Sequence, residues 1–125
     1  MRSVVSFQRK LLILCVEDNN THLRLRKAVL ERKGYFVAGA TNATQAMRLF
    51  RTSPVCLVLT DHFLRGTTGT RLAAKMKKLK PEVPIVLYSG SPPESMNNVD
   101  CFIRKGDSVE HFLSMISNLV QRSGA

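Results

Sequence analysis

The sequence predicts an α/β fold in which helices cover both faces of a doubly wound, five-stranded parallel sheet. Short apolar runs alternate with segments of helical periodicity along the chain, a pattern typical of repeated βα units. Glu17 and Asp18 follow the first apolar run, and Asp61 closes the third. Parallel strands bring their carboxyl ends to one edge of the sheet, where such folds bind ligands, so we expect these three acidic groups to meet there.

The length and composition indicate one globular domain. A chain of 125 residues is long enough to bury a core but not to form two ordinary domains. A hydrophobic content of 44% without low-complexity segments argues against disorder. We therefore expect a single domain over residues 1–125, with a core at about 11–121 and short tails at residues 1–10 and 121–125.

The predicted strands are the short apolar runs, and none is long enough to span a membrane or to form a signal peptide. They lie at residues 11–16, 35–40, 55–60, 84–88 and 100–103. A helix is expected after each strand. The first should run from about Asn19 to Lys33 and end at Gly34, with three residues facing the sheet: Leu25, Ala28 and Val29.

The later helices are predicted from caps and helical spacing. Asn42 is a suitable N-cap for the second, which places Ala43, Ala46, Met47 and Phe50 on one face. The third ends before Pro81 and buries Leu72, Ala73, Met76 and Leu79. The last begins at Asp107, with Glu110 completing a capping box, and its apolar face comprises Val109, Phe112, Leu113, Ile116, Leu119 and Val120.

The fourth connection, SGSPPESMNNVD, breaks this pattern. Pro92, Pro93 and two asparagines oppose a long helix. We expect a short or irregular segment there, with at most one or two turns between Glu94 and Asn98.

The net charge of +10 comes largely from two predicted helices. The basic residues are Arg24, Arg26, Lys27, Arg32 and Lys33 on the first, and Arg71, Lys75, Lys77, Lys78 and Lys80 on the third. Solvated helix faces explain such charges most simply, and attraction to an acidic protein partner is the main alternative. Nucleic acid is an unlikely partner because no recognition helix, stacking aromatic series or zinc pattern accompanies the charge.

Three cysteines, Cys15, Cys56 and Cys101, lie inside predicted strands, where a free thiol behaves as a small apolar group. An odd number of cysteines without metal-ligand spacing fits a reducing compartment, so we expect a cytoplasmic protein.

The acidic trio at the sheet edge carries the functional hypothesis. Gathered carboxylates repel one another unless a cation lies between them, and Mg²⁺ is the expected ion.

Several motifs in order resemble the receiver domain of two-component response regulators. They are VEDNN after the first strand, GYFVAGATN, VLTD at the end of the third strand, Gly69 eight residues after Asp61, VLYSG after the fourth strand and CFIRKG at the fifth. The resemblance covers residues 11 to about 121. It implies a flavodoxin-like strand order, 2-1-3-4-5.

The resemblance also implies the chemistry. Asp61 would accept a phosphoryl group from the phosphohistidine of a sensor histidine kinase or a phosphotransfer protein, and the domain would then signal to a downstream effector. Asp18 and Asp61 would hold Mg²⁺ together with the backbone carbonyl of Phe63, and Glu17 would act through water. The protein would be a phosphoryl acceptor with at most slow self-phosphatase activity, not an enzyme.

Three further roles follow from the same resemblance. Lys105 and the Ser89 hydroxyl would contact the phosphoryl oxygens. Ser89 would also draw its loop inward and make room for Phe102, three residues before the lysine. Phe102 has no hydroxyl, so any switch that it makes must act through packing.

The chain departs from the usual family pattern at three places. Gly106 follows Lys105 where the family usually has proline, often after a cis bond, and Arg65 stands where a proline usually follows the nucleophile by four residues. The span between Ser89 and Lys105 is shorter than usual by roughly a turn and a half of helix.

Two alternative functions remain. A pseudo-receiver, a protein-interaction module that does not switch by phosphorylation, would retain the fold; the full set of site residues argues against it, and the altered fourth segment argues for it. An aspartyl-phosphate hydrolase would also use an aspartate at a strand end with Mg²⁺. Such enzymes place an acidic residue two positions later as general acid, and this chain has Phe63 there.

Overall fold

A computed structural model describes residues 11–123, and most of the predicted tails, residues 1–10 and 124–125, lies outside the described residues. The main sheet has five parallel strands. They are β1 (Leu12–Val16), β2 (Phe36–Ala40), β3 (Val55–Asp61), β6 (Ile85–Ser89) and β7 (Cys101–Arg104). Their order is β2-β1-β3-β6-β7, which confirms the predicted order, since β6 and β7 are the fourth and fifth predicted strands.

Within residues 11–123, four helices pack on the two faces of this sheet: α1 (Asn20–Glu31), α2 (Ala43–Thr52), α3 (Gly69–Leu79) and α4 (Val109–Ser123). One core lies between the sheet and α2 and α3, where Phe50, Leu72 and Met76 are buried. The other lies under α1 and α4, where Leu30, Phe112 and Ile116 are buried. The central strands β1 and β3 are buried on both faces, as expected for a doubly wound sheet.

The sequence did not predict a two-stranded antiparallel hairpin that follows β3. Here β4 (Phe63–Leu64) pairs with β5 (Thr67–Thr68), and Gly66 makes the turn at φ +79°. Glycine populates this left-handed region without steric cost. Strands of two residues carry no detectable periodicity, which explains why the pattern missed them.

Within the described chain no helix forms between β6 and β7, which confirms the short or irregular segment expected for this connection. Asp100 fixes its far end. Its Oδ2 accepts a hydrogen bond from the backbone N–H of Ile85 at 2.7 Å and forms an ion pair with the Lys77 ammonium at 2.7 Å. Asn98, at φ +68°, turns the chain toward β7.

Some predictions of helix faces and ends were wrong. Leu25 and Ala28 are exposed, because the stripe of α1 that faces the sheet carries Leu23, Arg26 and Leu30 instead. Leu79 and Val109 are also exposed; each is a terminal residue of its helix, where less of the sheet lies beneath. The last helix also continues through Gln121 and Arg122, which were expected to be tail.

Asp107 is not the cap of α4. The Ser108 hydroxyl accepts a hydrogen bond from the His111 N–H at 3.1 Å, whereas the Asp107 N–H donates to the Arg104 carbonyl. Asp107 therefore belongs to the turn after β7. The predicted cap Asn42 is confirmed, since its side chain accepts from the Gln45 N–H, and Asn19, predicted only as the approximate start of the first helix, caps α1 by accepting from the His22 N–H.

Two basic side chains near the end of α3, those of Lys77 and Lys80, act within the fold. The Lys80 ammonium donates to the backbone carbonyls of Phe50 and Ser53 at 2.6 and 3.3 Å, and so caps α2.

Cys15, Cys56 and Cys101 are free thiols, as expected. Among the described residues, every helix is too short or too polar to cross a membrane.

Candidate functional site

The three predicted carboxylates meet at the carboxyl edge of the sheet. Glu17 follows β1 and is 2% exposed, Asp61 ends β3 and is 5% exposed, and Asp18 is half-buried. One ligand oxygen from each lies within 4.8 Å of the others. The Asn19 N–H donates to Glu17 Oε2 at 3.0 Å, so the start of α1 holds one carboxylate in place.

Lys105, which follows the edge strand β7, completes the predicted group. Its Nζ lies 2.9 Å from Asp61 Oδ1 and 3.8 Å from Glu17 Oε1. The Lys105 N–H donates to the Ser89 carbonyl at 2.8 Å, which extends the pairing of β6 and β7 by one residue. Gly106 then turns the chain at φ +100°, and the described peptide bonds are all trans.

Arg26 is a site residue that the sequence interpretation missed, because it counted this side chain among the solvated charges of the first helix. Its Nη1 lies 2.7 Å from Glu17 Oε1 and 3.1 Å from Asp61 Oδ1, and the side chain is only 11% exposed. Its guanidinium also stacks over the Tyr88 ring, 4.7 Å from the centroid. The sequence carried no clear signal for this role, because the charge pattern of a helix is the same whether an arginine faces solvent or a buried carboxylate.

Burial sets the protonation of the two inner carboxyls. It raises the pKa of Asp61 to about 7, and a hydrogen bond with the Glu17 carboxyl adds to the rise, while Lys105 and Arg26 oppose it. Burial also acts to raise the pKa of Glu17, but hydrogen bonds with Asp61 and the Asn19 N–H, together with Arg26, outweigh it and hold that pKa at about 2. Asp61 therefore keeps its proton to a higher pH than Glu17 does.

The backbone around Asp61 is tightly packed. The Gly69 N–H donates to the His62 carbonyl at 2.6 Å, and a Cβ atom at position 69 would overlap the carbonyl oxygen of Asp61. The Thr60 hydroxyl donates to the same oxygen at 2.9 Å. The glycine eight residues after Asp61 is thus required by this close approach, which positions the end of β3.

The remaining predicted residues lie on β6, β7 and β4 and differ in exposure. Ser89 is buried at the end of β6, on the strand next to β3. Phe102 is half-buried on β7; since Ile103 faces the core under α1 and α4, Phe102 lies on the opposite face of the strand. Phe63 begins β4, two residues after Asp61, and its ring is 69% exposed and lies edge-on to the His62 ring.

The residues present fit a hard divalent cation. Carboxylate oxygens are the ligands that Mg²⁺ prefers. Among the described residues, the buried Glu17 Oε1 accepts no hydrogen bond, although Arg26 and Lys105 contact it as ion pairs. This oxygen retains lone pairs that a cation could use.

Comparison with known proteins agrees with this geometry. Residues 13–104 match the family model of the response regulator receiver domain. A CheY-like receiver domain protein from Methanospirillum hungatei has a TM-score of 0.86 at 27% identity over 91% of this chain and 96% of that one. The response regulator TrrA from Thermotoga maritima, solved in complex with Mg²⁺-BeF, has a TM-score of 0.82 at 24% identity over 87% of this chain and 98% of that one.

Curated relatives are longer than this chain. The transcriptional regulatory protein YkoG of Bacillus subtilis is 26% identical over 118 residues, which is 90% of this chain and 52% of YkoG. The chain spans 17–19% of several other regulators that it matches. The family match over most of the chain, the five-stranded topology and the acidic edge agree, and the chain belongs to the response regulator receiver domain family.

Proposed function

We propose that the protein is a phosphoacceptor of a two-component phosphorelay and that Asp61 is the accepting residue. The observation that carries this proposal is the surroundings of Asp61. A buried carboxylate ends the central strand, with Glu17 and Asp18 close by and the Lys105 ammonium at 2.9 Å. Phosphoryl transfer depends on positioning and charge neutralisation, which such surroundings supply.

In the proposed reaction, a carboxylate oxygen of Asp61 attacks phosphorus and the bond between phosphorus and the donor's histidine nitrogen breaks. Lys105 neutralises charge on the transferred group, and the Ser89 hydroxyl donates to one of its oxygens. Asp18, Asp61 and the Phe63 carbonyl would hold Mg²⁺, with Glu17 acting through water. The ion would supply further charge neutralisation.

The proposed output is a change of shape. Ser89 and Phe102 are the switch pair: the hydroxyl draws the end of β6 toward the phosphoryl group, and the half-buried ring repacks on the outer face of β7. A sensor histidine kinase or phosphotransfer protein would supply the phosphoryl group, and an effector protein would read the new surface. The three free thiols support a location in the reducing cytoplasm.

Incubation with acetyl phosphate and Mg²⁺, followed by mass measurement of the intact protein, tests the proposal. We expect the mass of one phosphoryl group to be added to the wild type and none to Asp61→Asn, whose amide is nearly isosteric but not nucleophilic. Asp107→Asn, an exposed change of the same type, should be labelled like the wild type. Equal labelling of Asp61→Asn would refute the assignment.

A pseudo-receiver is the second candidate, because two observations favour it. The described chain has no helix between β6 and β7, and Arg26 lies among the proposed metal ligands. A folded wild type that takes up no phosphoryl group would support this alternative. Hydrolase activity is disfavoured, since Phe63 stands at the position of the second acid; failure to turn over a generic phosphate ester would exclude it.

A further inference from the structure

We infer that Arg26 is a tethered cation that competes with a divalent metal ion for Glu17 and Asp61. The inference rests on the metal site of the proposed function and concerns what controls that site. Arg26 is not simply a neighbour of the carboxylates, because a single nitrogen, Nη1, contacts Glu17 Oε1 at 2.7 Å and Asp61 Oδ1 at 3.1 Å. A metal ion held between Asp61 and Glu17, directly or through water, would need the space that this nitrogen occupies.

The charge balance of the site supports competition. Three carboxylates face two cations, Arg26 and Lys105, so the site is already close to neutral. Adding a divalent ion beside both side chains would leave an excess of positive charge in a buried place, where like charges repel strongly. Release of one side chain relieves that excess. Arg26 is the better candidate, since it contacts both inner carboxylates closely, whereas Lys105 is 3.8 Å from Glu17.

The surroundings of Arg26 also provide an alternative position for its side chain. The side chain lines a groove of about 310 Å³ between α1 and α4, whose other walls include His22, Leu25, Tyr88 and Phe112. The Tyr88 ring lies beneath the guanidinium at 4.7 Å, so an arginine that leaves the carboxylates can remain stacked on this ring. Its aliphatic part can stay packed against the apolar walls.

The competition gives the site a defined response to metal concentration. At low metal concentration, Arg26 neutralises Glu17 and Asp61, and the fold is stable without an ion. A metal ion must displace the guanidinium before it can use both carboxylates, so its apparent affinity is reduced by the free energy of the arginine contacts. Mg²⁺ binding is therefore weaker than the carboxylates alone would allow.

Mg²⁺ titration by calorimetry tests the inference without any activity measurement. The proteins are the wild type, Arg26→Met and Arg24→Met; Arg24 is exposed on the same helix, so the control removes the same net charge. We expect Arg26→Met to bind Mg²⁺ with a Kd lower by roughly tenfold or more, the size of typical coupling between competing ligands. Arg24→Met should match the wild type.

Melting temperatures provide a second readout. Without metal, Arg26→Met should melt below the wild type, because Glu17 and Asp61 lose a counterion, and Mg²⁺ should restore more of its stability than it adds to the wild type. If Arg26→Met does not fold without metal, Arg26→Gln replaces it in the titration. The glutamine amide can still donate a hydrogen bond to a carboxylate but carries no charge, so this variant should also bind Mg²⁺ more tightly than the wild type.

Equal or weaker Mg²⁺ binding by Arg26→Met, or by Arg26→Gln where it is used instead, overturns the inference. Absence of binding in both the wild type and the variant overturns it too, since Arg26 would then not be what limits the metal. Phosphoryl uptake on Asp61 is measured separately by mass. A labelled Asp61 with unchanged Mg²⁺ affinities would reject the competition and leave the proposed function in place.

Discussion

The ammonium of Lys105 and the carboxylate of Asp61 are joined at 2.9 Å across the ends of two strands that are not neighbours, since β6 lies between β3 and β7. The lysine reaches this position although Gly106 follows it and the described peptide bonds are trans. The Lys105 N–H bonded to the Ser89 carbonyl fixes its backbone instead. The replacement of the usual proline has therefore not displaced the lysine.

Lys105→Met should slow phosphoryl uptake by roughly 10–100-fold, because it removes one cation that neutralises charge in the transition state. The loss should be smaller than for a fully enclosed donor, since the side chain is 35% exposed and partly screened by water. Uptake from acetyl phosphate, followed by mass against time, measures the rate. Lys75→Met, exposed on α3, is the control, and equal rates in the two variants would show that Lys105 takes no part.

Phe63→Asn should shorten the lifetime of the phosphorylated protein by roughly tenfold. The apolar ring two residues after Asp61 cannot orient water, whereas a neutral amide can orient it without accepting its proton, so the gain stays below the ~10²–10⁴ of an aligned general base. Decay of the phosphorylated mass after removal of the donor gives the lifetime. Phe36→Asn makes the same change at an exposed ring on β2, and a lifetime change as large there would contradict the role of Phe63.

Gly69→Ala should destabilise the fold by about 1–3 kcal/mol and slow phosphoryl uptake, because the new Cβ would overlap the Asp61 carbonyl and shift the end of β3. Urea unfolding measures the first effect and acetyl phosphate labelling the second. Gly90→Ala is a matched control, since a Cβ there meets no atom within 4 Å. It should change the free energy of unfolding by less than about 0.5 kcal/mol. Equal effects of the two changes would argue against tight packing at Gly69.

Asp100→Ala should lower the free energy of unfolding by about 1–3 kcal/mol. It leaves the buried Ile85 N–H without its side-chain acceptor and removes the ion pair with Lys77. Asp100→Asn keeps an oxygen that can accept the hydrogen bond and should cost less. Glu94→Ala, exposed in the same connection, should have little effect in the same urea titration; a comparable loss there would show that Asp100 is not the anchor.

The fold was largely predictable because buried parallel strands read as apolar runs. β1, β3 and β6 lie where the runs LLILCV, VCLVLT and PIVLY predicted them. The gathering of Glu17, Asp18 and Asp61 followed from strand polarity alone. Burial at helix ends was less predictable, since periodicity assigns Val109 to the apolar face but cannot show that the sheet stops short of it.

Arg26 shows why part of the site could not be predicted. A pattern of charges along a helix does not distinguish an arginine in solvent from one whose long side chain reaches back along the helix to a buried carboxylate. The distinction needs the position of α1 over β1 and β2, which only the structure provides. The same difficulty applied to Lys80, whose cap of α2 depends on a contact 30 residues away in sequence.

The irregular connection before β7 has a consequence for local opening of the sheet edge. β7 is a four-residue strand at the edge of the sheet, and the segment that precedes it supplies no helix to cover its outer face. Its amide protons should therefore exchange with solvent through local opening, while those of the enclosed strands β1 and β3 wait for global unfolding. Lys105 follows directly after β7, so each such opening should separate its ammonium from Asp61. The contact between Lys105 and Asp61 should form again when β7 pairs with β6 once more.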